Sequence, residues 1–214
     1  MVITLKKGKT IRNILFVLIL LGAIAYSGYN MYSGLKRTPG NVKKVQTIDN
    51  IDSFGYTLND NATKYYKTLF GELKKILSTN PIDEKEYAQK VSQLFVADLF
   101  TLDNKLTSSD IGGLEYVYSD FRDDFISIAQ SSMYGSVKSN IYGDRKQELP
   151  EVTEVSITDV KNNSFKIKDK TIDNAYYITV EIKYKKDLSY PTKYNLVLVK
   201  NDKKIEVVKA NEPK

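Results

Sequence analysis

The feature that most constrains this chain is an uncharged segment close to its amino terminus. No charged residue occurs from Asn13 to Leu35, and the stretch Ile14 to Leu21 is purely aliphatic and aromatic. A helix needs about 20 mostly apolar residues to cross the hydrocarbon core of a bilayer. Residues 14–33 supply that length, so we predict a transmembrane anchor there, with the lipid bilayer as its partner.

The residues around this segment fit a membrane setting. Tyr26, Tyr29 and Tyr32 recur at every third position, and tyrosine rings favour the headgroup layer. Basic residues flank the segment on both sides, as attraction to anionic lipid explains. These membrane-flank charges are Lys6, Lys7, Lys9, Arg12, Lys36, Arg37, Lys43 and Lys44. A first hydrophobic segment this near the start usually leaves a short tail inside, so we expect the domain on the outer side of the membrane.

A cleaved signal peptide is the alternative for the same segment. A basic region precedes it, and Ala23-Ile24-Ala25 fits the small-residue pattern of a cleavage site. In that case the domain is secreted after cleavage following Ala25. The uncharged window continues well past this point, which favours the anchor.

The distribution of charge argues against nucleic-acid binding. The net charge is +6, but eight of the 32 basic residues precede residue 45, and no acidic residue does. The remainder holds 24 basic against 26 acidic residues. The excess positive charge therefore belongs to the membrane flanks and forms no basic surface for nucleic acid.

The missing residue types exclude several kinds of chemistry. The chain has no histidine and no cysteine, so Ser-His-Asp and Cys-His nucleophiles, zinc sites of the usual ligands and thiol redox chemistry are all ruled out. Glycine-rich phosphate loops are absent too. The acidic cluster Asp120, Asp123 and Asp124 suits the first turn of a helix, where carboxylates complement the dipole. We therefore predict no catalytic residue, no metal and no cofactor.

Hydrophobic periodicity predicts helices first and strands afterwards. The first helix is expected to begin at a cap within 59–61 and to end at Leu77. The second begins at Asp83, which forms a capping box with Glu86, and its apolar stripe reaches Leu102. The third is expected over 119–140. From Pro150 the period becomes two, with a turn at 162–163, a short strand at 164–168, and strands at 176–184, 194–199 and 205–207. Asn201-Asp202 is typical of a hairpin tip.

This order predicts an α+β fold, with helices packed on one face of a curved antiparallel sheet. We expect a basic tail at 1–13, the anchor at 14–33, a linker at 34–55 and an extracytoplasmic α+β domain at 56–212. Phe70, Phe95 and Phe125 are candidates to line a pocket between helices and sheet. Tyr177 is out of phase with the buried side of its strand, which makes it a candidate interface residue.

The layout of Ile14–Tyr32 followed by helices and the strands Tyr176–Tyr184, Tyr194–Val199 and Ile205–Val207 resembles membrane-anchored domains of the nuclear-transport-factor-two-like superfamily. It is most similar to the assembly-scaffold component of type IV secretion and conjugation machines. The resemblance implies a cone-shaped domain outside a bacterial cell membrane that is not an enzyme and acts through protein partners or as a homo-oligomer. Two other functions stay open: binding of a small apolar ligand, and an enzyme using Asp, Glu or Tyr.

Overall fold

The computed structural model describes residues 26–27 and 42–213. Within that part of the chain, no helix is long and apolar enough to cross a membrane. The predicted span at 14–33 lies outside the described residues except for Tyr26 and Ser27, so the anchor stays a prediction. The other interfacial tyrosines and the flank charges up to Arg37 also lie outside, whereas Lys43 and Lys44 lie inside.

A small β-hairpin begins the described domain. Strand β1 covers Thr47–Ile51 and pairs antiparallel with β2, Tyr56–Asn59. The predicted linker at 34–55 is therefore wrong for its second half. The sequence does not predict this strand because only its last residue is buried, so β1 has no alternating apolar pattern.

Two capped helices follow as predicted. Helix α1 covers Lys64–Leu77 and α2 covers Glu84–Phe100. The Asp83 carboxylate accepts the Glu86 N–H at 3.0 Å, which confirms the predicted start of α2. The cap of α1 is Thr63, slightly later than predicted, since its hydroxyl accepts the Tyr66 N–H at 3.1 Å. Leu102 is buried as expected but lies beyond the end of α2.

The third predicted helix, 119–140, is wrong in its extent. The chain forms a 3-10 turn at Ser119–Phe121, helix α3 at Arg122–Ser131 and another 3-10 turn at Met133–Ser136. Ser132 ends α3 because its backbone leaves the helical region, and its hydroxyl donates to the Ile128 carbonyl at 2.6 Å. Ile128 in the middle of α3 is 66% exposed.

The carboxyl-terminal half is one antiparallel meander in the order β3-β4-β5-β6. The strands are β3, Val152–Ile167; β4, Lys170–Tyr184; β5, Lys193–Asn201; and β6, Lys204–Asn211. The separate strand predicted at 164–168 is wrong. Strand β3 runs through 162–163 with a bulge, and the hairpin turns at Lys168, whose φ is 52°. The predicted tip at Asn201-Asp202 is confirmed by the tight β5–β6 turn.

The main core lies between the helices and one face of the sheet. Alternate residues of β4, Tyr176, Ile178, Val180 and Ile182, are buried there as their period predicts. A smaller apolar cluster made by Ile167, Ala175, Val197 and Val199 is separate from this core. Helices packed on an antiparallel sheet make the domain α+β, as predicted.

Candidate functional site

The predicted pocket residues are only partly brought together. Phe95 and Phe125 lie side by side, with ring centroids 5.8 Å apart. Phe70 is 1% exposed in the core and does not join them. The space beside Phe95 and Phe125 is an open groove of about 420 Å³ between α3 and β6, not the closed cavity expected between helices and sheet.

The walls of this groove are mainly apolar. Helix α3 contributes Phe125, Ile128 and Ala129, and β6 contributes Val207, Val208 and Ala210. Ile128 exposes most of its side chain to solvent although it is a large apolar residue. Charged groups occur only at Asp124 and Lys209 among the residues that line the groove. We call this feature the α3–β6 groove.

Polar contacts attach the start of α3 to strand β6. The Arg122 Nε donates to the Val117 carbonyl at 3.1 Å, and its Nη2 lies 3.9 Å from a carboxylate oxygen of Glu206. Val117 forms a parallel bridge with Val207, and the Tyr118 N–H donates to the Val207 carbonyl at 3.0 Å. The groove is therefore bounded by two elements whose relative position is held by hydrogen bonds.

Strand β6 is an edge strand with part of its outer edge unpaired. It is last in the sheet order. Within residues 42–213, no element bonds to its outer backbone groups past Val207. Lys209 and Ala210 are exposed there. Unpaired strand edges accept additional strands, so this edge and the groove beside it form one potential binding surface.

Tyr177, the candidate interface residue, lies away from this surface. It is half-buried on the face of β4 opposite the main core, as its phase predicts. Its hydroxyl donates to the Ser164 carbonyl at 2.9 Å, and its ring meets Phe165 edge-on. These contacts lie within the β3–β4 hairpin, so the structure gives Tyr177 partners in its own chain.

A second concavity, which we call the polar cleft, has a volume of about 640 Å³. It is lined by β2, the start of α1 and the loop after α2. Glu115 lies in it and accepts hydrogen bonds from the Thr57 N–H at 3.0 Å and the Tyr66 hydroxyl at 3.3 Å. The Tyr66 and Tyr116 hydroxyls share a further bond of 2.7 Å.

A partly buried ion pair lies beside this network. The Lys105 ammonium, whose side chain is 5% exposed, bonds to Asp98 at 2.5 Å. The other Asp98 oxygen accepts the Gly113 N–H at 2.6 Å. Gly113 has a φ of 78°, and a Cβ on Gly112 would come within 2.2 Å of the Asp98 carbonyl oxygen, so both glycines are needed for this turn.

Burial favours the neutral form of Glu115 and of the two tyrosine hydroxyls that bond beside it. Burial raises the pKa of Glu115, and the Thr57 N–H bond only partly opposes it. Burial also places the pKa of Tyr66 and Tyr116 well above the usual range, so both hydroxyls are neutral donors at physiological pH. Because the carboxylates already accept bonds from the domain itself, these contacts explain the cleft as a structural network.

The acids singled out from sequence lie elsewhere. Asp120, Asp123 and Asp124 are exposed, and Asp120 lies 3.3 Å from the Lys168 ammonium. Among the described residues, no group of three or more acidic side chains is placed to hold a metal ion. Sequence reasoning missed Asp98 and Glu115. The only signal for Asp98 was its position inside the apolar run of α2.

Comparison of the chain with protein-family models, with curated proteins and with solved structures finds no match. The inference of function therefore depends on the residues and surfaces described above.

Proposed function

We propose that this chain is a single-pass membrane protein whose extracytoplasmic domain binds another protein, as a structural or assembly module of a bacterial envelope complex. The observation that carries the proposal is the α3–β6 groove, an exposed apolar surface beside an unpaired strand edge. Exposed apolar surface of this kind is typical of protein-binding sites. The membrane anchor and its orientation rest on the sequence of residues 1–44.

The partner we propose is an extended, apolar segment of a second protein. Such a segment adds to the β6 edge as a fifth strand, with backbone hydrogen bonds providing affinity. Its alternate side chains point into the groove against Phe125 and Ile128, because successive side chains of a strand point to opposite faces. The backbone hydrogen bonds at the β6 edge and the apolar contacts in the groove therefore act on the same bound segment.

We also propose that the fold is of the nuclear-transport-factor-two-like type. Its support is the order of elements, with helices before a four-stranded antiparallel meander. This is the layout on which the resemblance to secretion and conjugation scaffolds depends. The proposal includes their mode of action, which is assembly through protein contacts.

Site-specific photo-crosslinking of the full-length protein in its native membrane tests the binding surface. A photoreactive phenylalanine replaces Ile128 in the groove or, as a matched control, Ile48 on β1. Both isoleucines are exposed, at 66% and 54%, and Ile48 does not line the groove. We expect a discrete protein adduct from position 128 and none from position 48.

The products also distinguish the alternatives. An adduct of twice the chain mass identifies a homo-oligomer, and another mass identifies a different protein. Label transferred only to lipid or a small molecule would favour the apolar-ligand function instead. Equal crosslinking from both positions, or none from position 128, would refute the groove as a protein-binding site. Protease treatment of intact cells tests the orientation, since an external domain is digested.

A further inference from the structure

Two basic residues, Lys43 and Lys44, lie where the chain enters the domain. Lys43 lies within the folded unit, and its N–H donates to the Ile141 carbonyl at 2.8 Å. Its side chain lies against Gly143. The predicted flank charges Lys43 and Lys44 are thus fixed to the domain surface and do not belong to a free linker.

The segment that Lys43 contacts carries further cations. Arg145 organises it by donating from Nη1 to the carbonyls of Lys105 at 2.8 Å and Lys138 at 3.2 Å. Lys138 and Lys146 are exposed on this segment. Tyr142, between them, is 47% exposed. We call Lys43, Lys44, Lys138, Tyr142 and Lys146 together the Lys43 surface.

The four lysines of this surface have no ion-pair partner among the described residues, whereas several lysines of the sheet do. Lys161, Lys183 and Lys193 each pair with an acid on the same or a neighbouring strand. Three exposed carboxylates, Asp60, Asp103 and Asp144, lie close to the four lysines in the chain or in space, and Asp103 is also 3.8 Å from the Arg145 guanidinium. The surface is therefore left with a positive excess and an exposed aromatic ring.

We infer that the Lys43 surface rests on the anionic headgroups of the membrane that holds the anchor. Ser33, where the predicted span ends, is followed by about nine residues before Lys43, which reach at most about 30 Å. The surface stays near the bilayer at that distance, where lysines are attracted to anionic lipid and a tyrosine ring favours the headgroup layer. This inference rests on the anchor of the proposed function but not on its groove.

The composition of the chain allows a direct test, because it contains no tryptophan. Tyr142→Trp introduces a single fluorophore on the Lys43 surface, and Asp169→Trp introduces one at the β3–β4 turn as a control. Each full-length variant is reconstituted in vesicles of brominated phosphatidylcholine with or without phosphatidylglycerol. We expect bromine to quench Tyr142→Trp more strongly than Asp169→Trp, and phosphatidylglycerol to increase the difference.

A charge variant completes the test. Lys43→Gln with Lys44→Gln should lower the docked-to-undocked ratio about five-fold for each lysine. Lys166→Gln with Lys170→Gln should not change it; these two lysines of the β3–β4 hairpin have no ion-pair partner within residues 42–213. Equal quenching at the two tryptophan positions would overturn this inference but not the anchor. So would quenching that changes neither with phosphatidylglycerol nor with the Lys43 and Lys44 substitutions. If the full chain does not float with either kind of vesicle, both the predicted anchor and this inference are wrong.

Discussion

The buried hydroxyl of Tyr134 offers the sharpest test of how the domain is held together. Tyr134 is fully buried; its hydroxyl donates to the Leu99 carbonyl at 2.8 Å and accepts the Gly112 N–H at 2.9 Å. It thus joins the end of α2, the Gly112-Gly113 turn and the 3-10 turn after α3. Tyr134→Phe removes one oxygen and leaves both backbone groups without this partner.

The expected loss follows from those two groups. An unsatisfied buried donor or acceptor costs about 1–3 kcal/mol, so we expect Tyr134→Phe to lower the free energy of unfolding by about 2–4 kcal/mol. Urea unfolding of the full-length protein in detergent, followed by far-ultraviolet circular dichroism, measures this change. The Gly112 amide should also exchange its hydrogen faster.

Tyr142→Phe is the matched control, because it removes a hydroxyl from an exposed ring. We expect it to change the free energy of unfolding by less than about 0.5 kcal/mol. If Tyr134→Phe is as small as this control, then the hydroxyl does not join the three segments, and the description of this part of the core is wrong.

The remaining predictions concern two glycines and one carboxylate. Gly71→Ala in α1 should stabilise the domain by about 0.5–1 kcal/mol, because a Cβ there meets nothing within 4 Å. Gly112→Ala should destabilise the domain by more than about 2 kcal/mol, because its Cβ would come within 2.2 Å of the Asp98 carbonyl oxygen. Thermal unfolding of the pair measures both, and equal signs would contradict the packing at Gly112. Burial raises the pKa of Glu115 above its ordinary value of 4.5, so the folded state retains this proton more strongly than the unfolded state, and stability falls as pH rises through the folded pKa. Glu115→Gln should remove this loss, and its stability relative to wild type should therefore improve between pH 4.5 and neutrality; a pH-independent difference would contradict the burial of Glu115.

The polar cleft illustrates how buried polar groups of separate elements can be organised by bonds to one another. Glu115 connects the β1–β2 hairpin, through Thr57, to α1, through Tyr66. Asp98 and Lys105 connect α2 to the loop that follows it. For the ion pair of Asp98 and Lys105, removal of the two charges from water offsets much of their attraction.

Local patterns were sufficient to predict the elements that bury one regular face. The N-cap at Asp83 and the alternation of β4 are local signals, and both appear in the structure as predicted. The β1 strand and the end of α3 were missed for different reasons. Strand β1 has no alternating apolar pattern, since only its last residue is buried, whereas at Ser132 the backbone leaves the helical region inside the stretch 119–140 that was predicted as one helix.

By itself, the sequence determined the α+β order, the missing histidine and cysteine chemistry, and the prediction of an anchor at 14–33, because each depends on composition or on contacts within one element. Tertiary structure alone decided that Phe95 and Phe125 meet while Phe70 does not, that Asp98 and Glu115 share a cleft, and that Lys43 belongs to the domain surface. These residues are far apart in the chain, and no local pattern specifies which of them come together. The bridge between Val117, which precedes α3, and Val207 of β6 makes that choice for the groove.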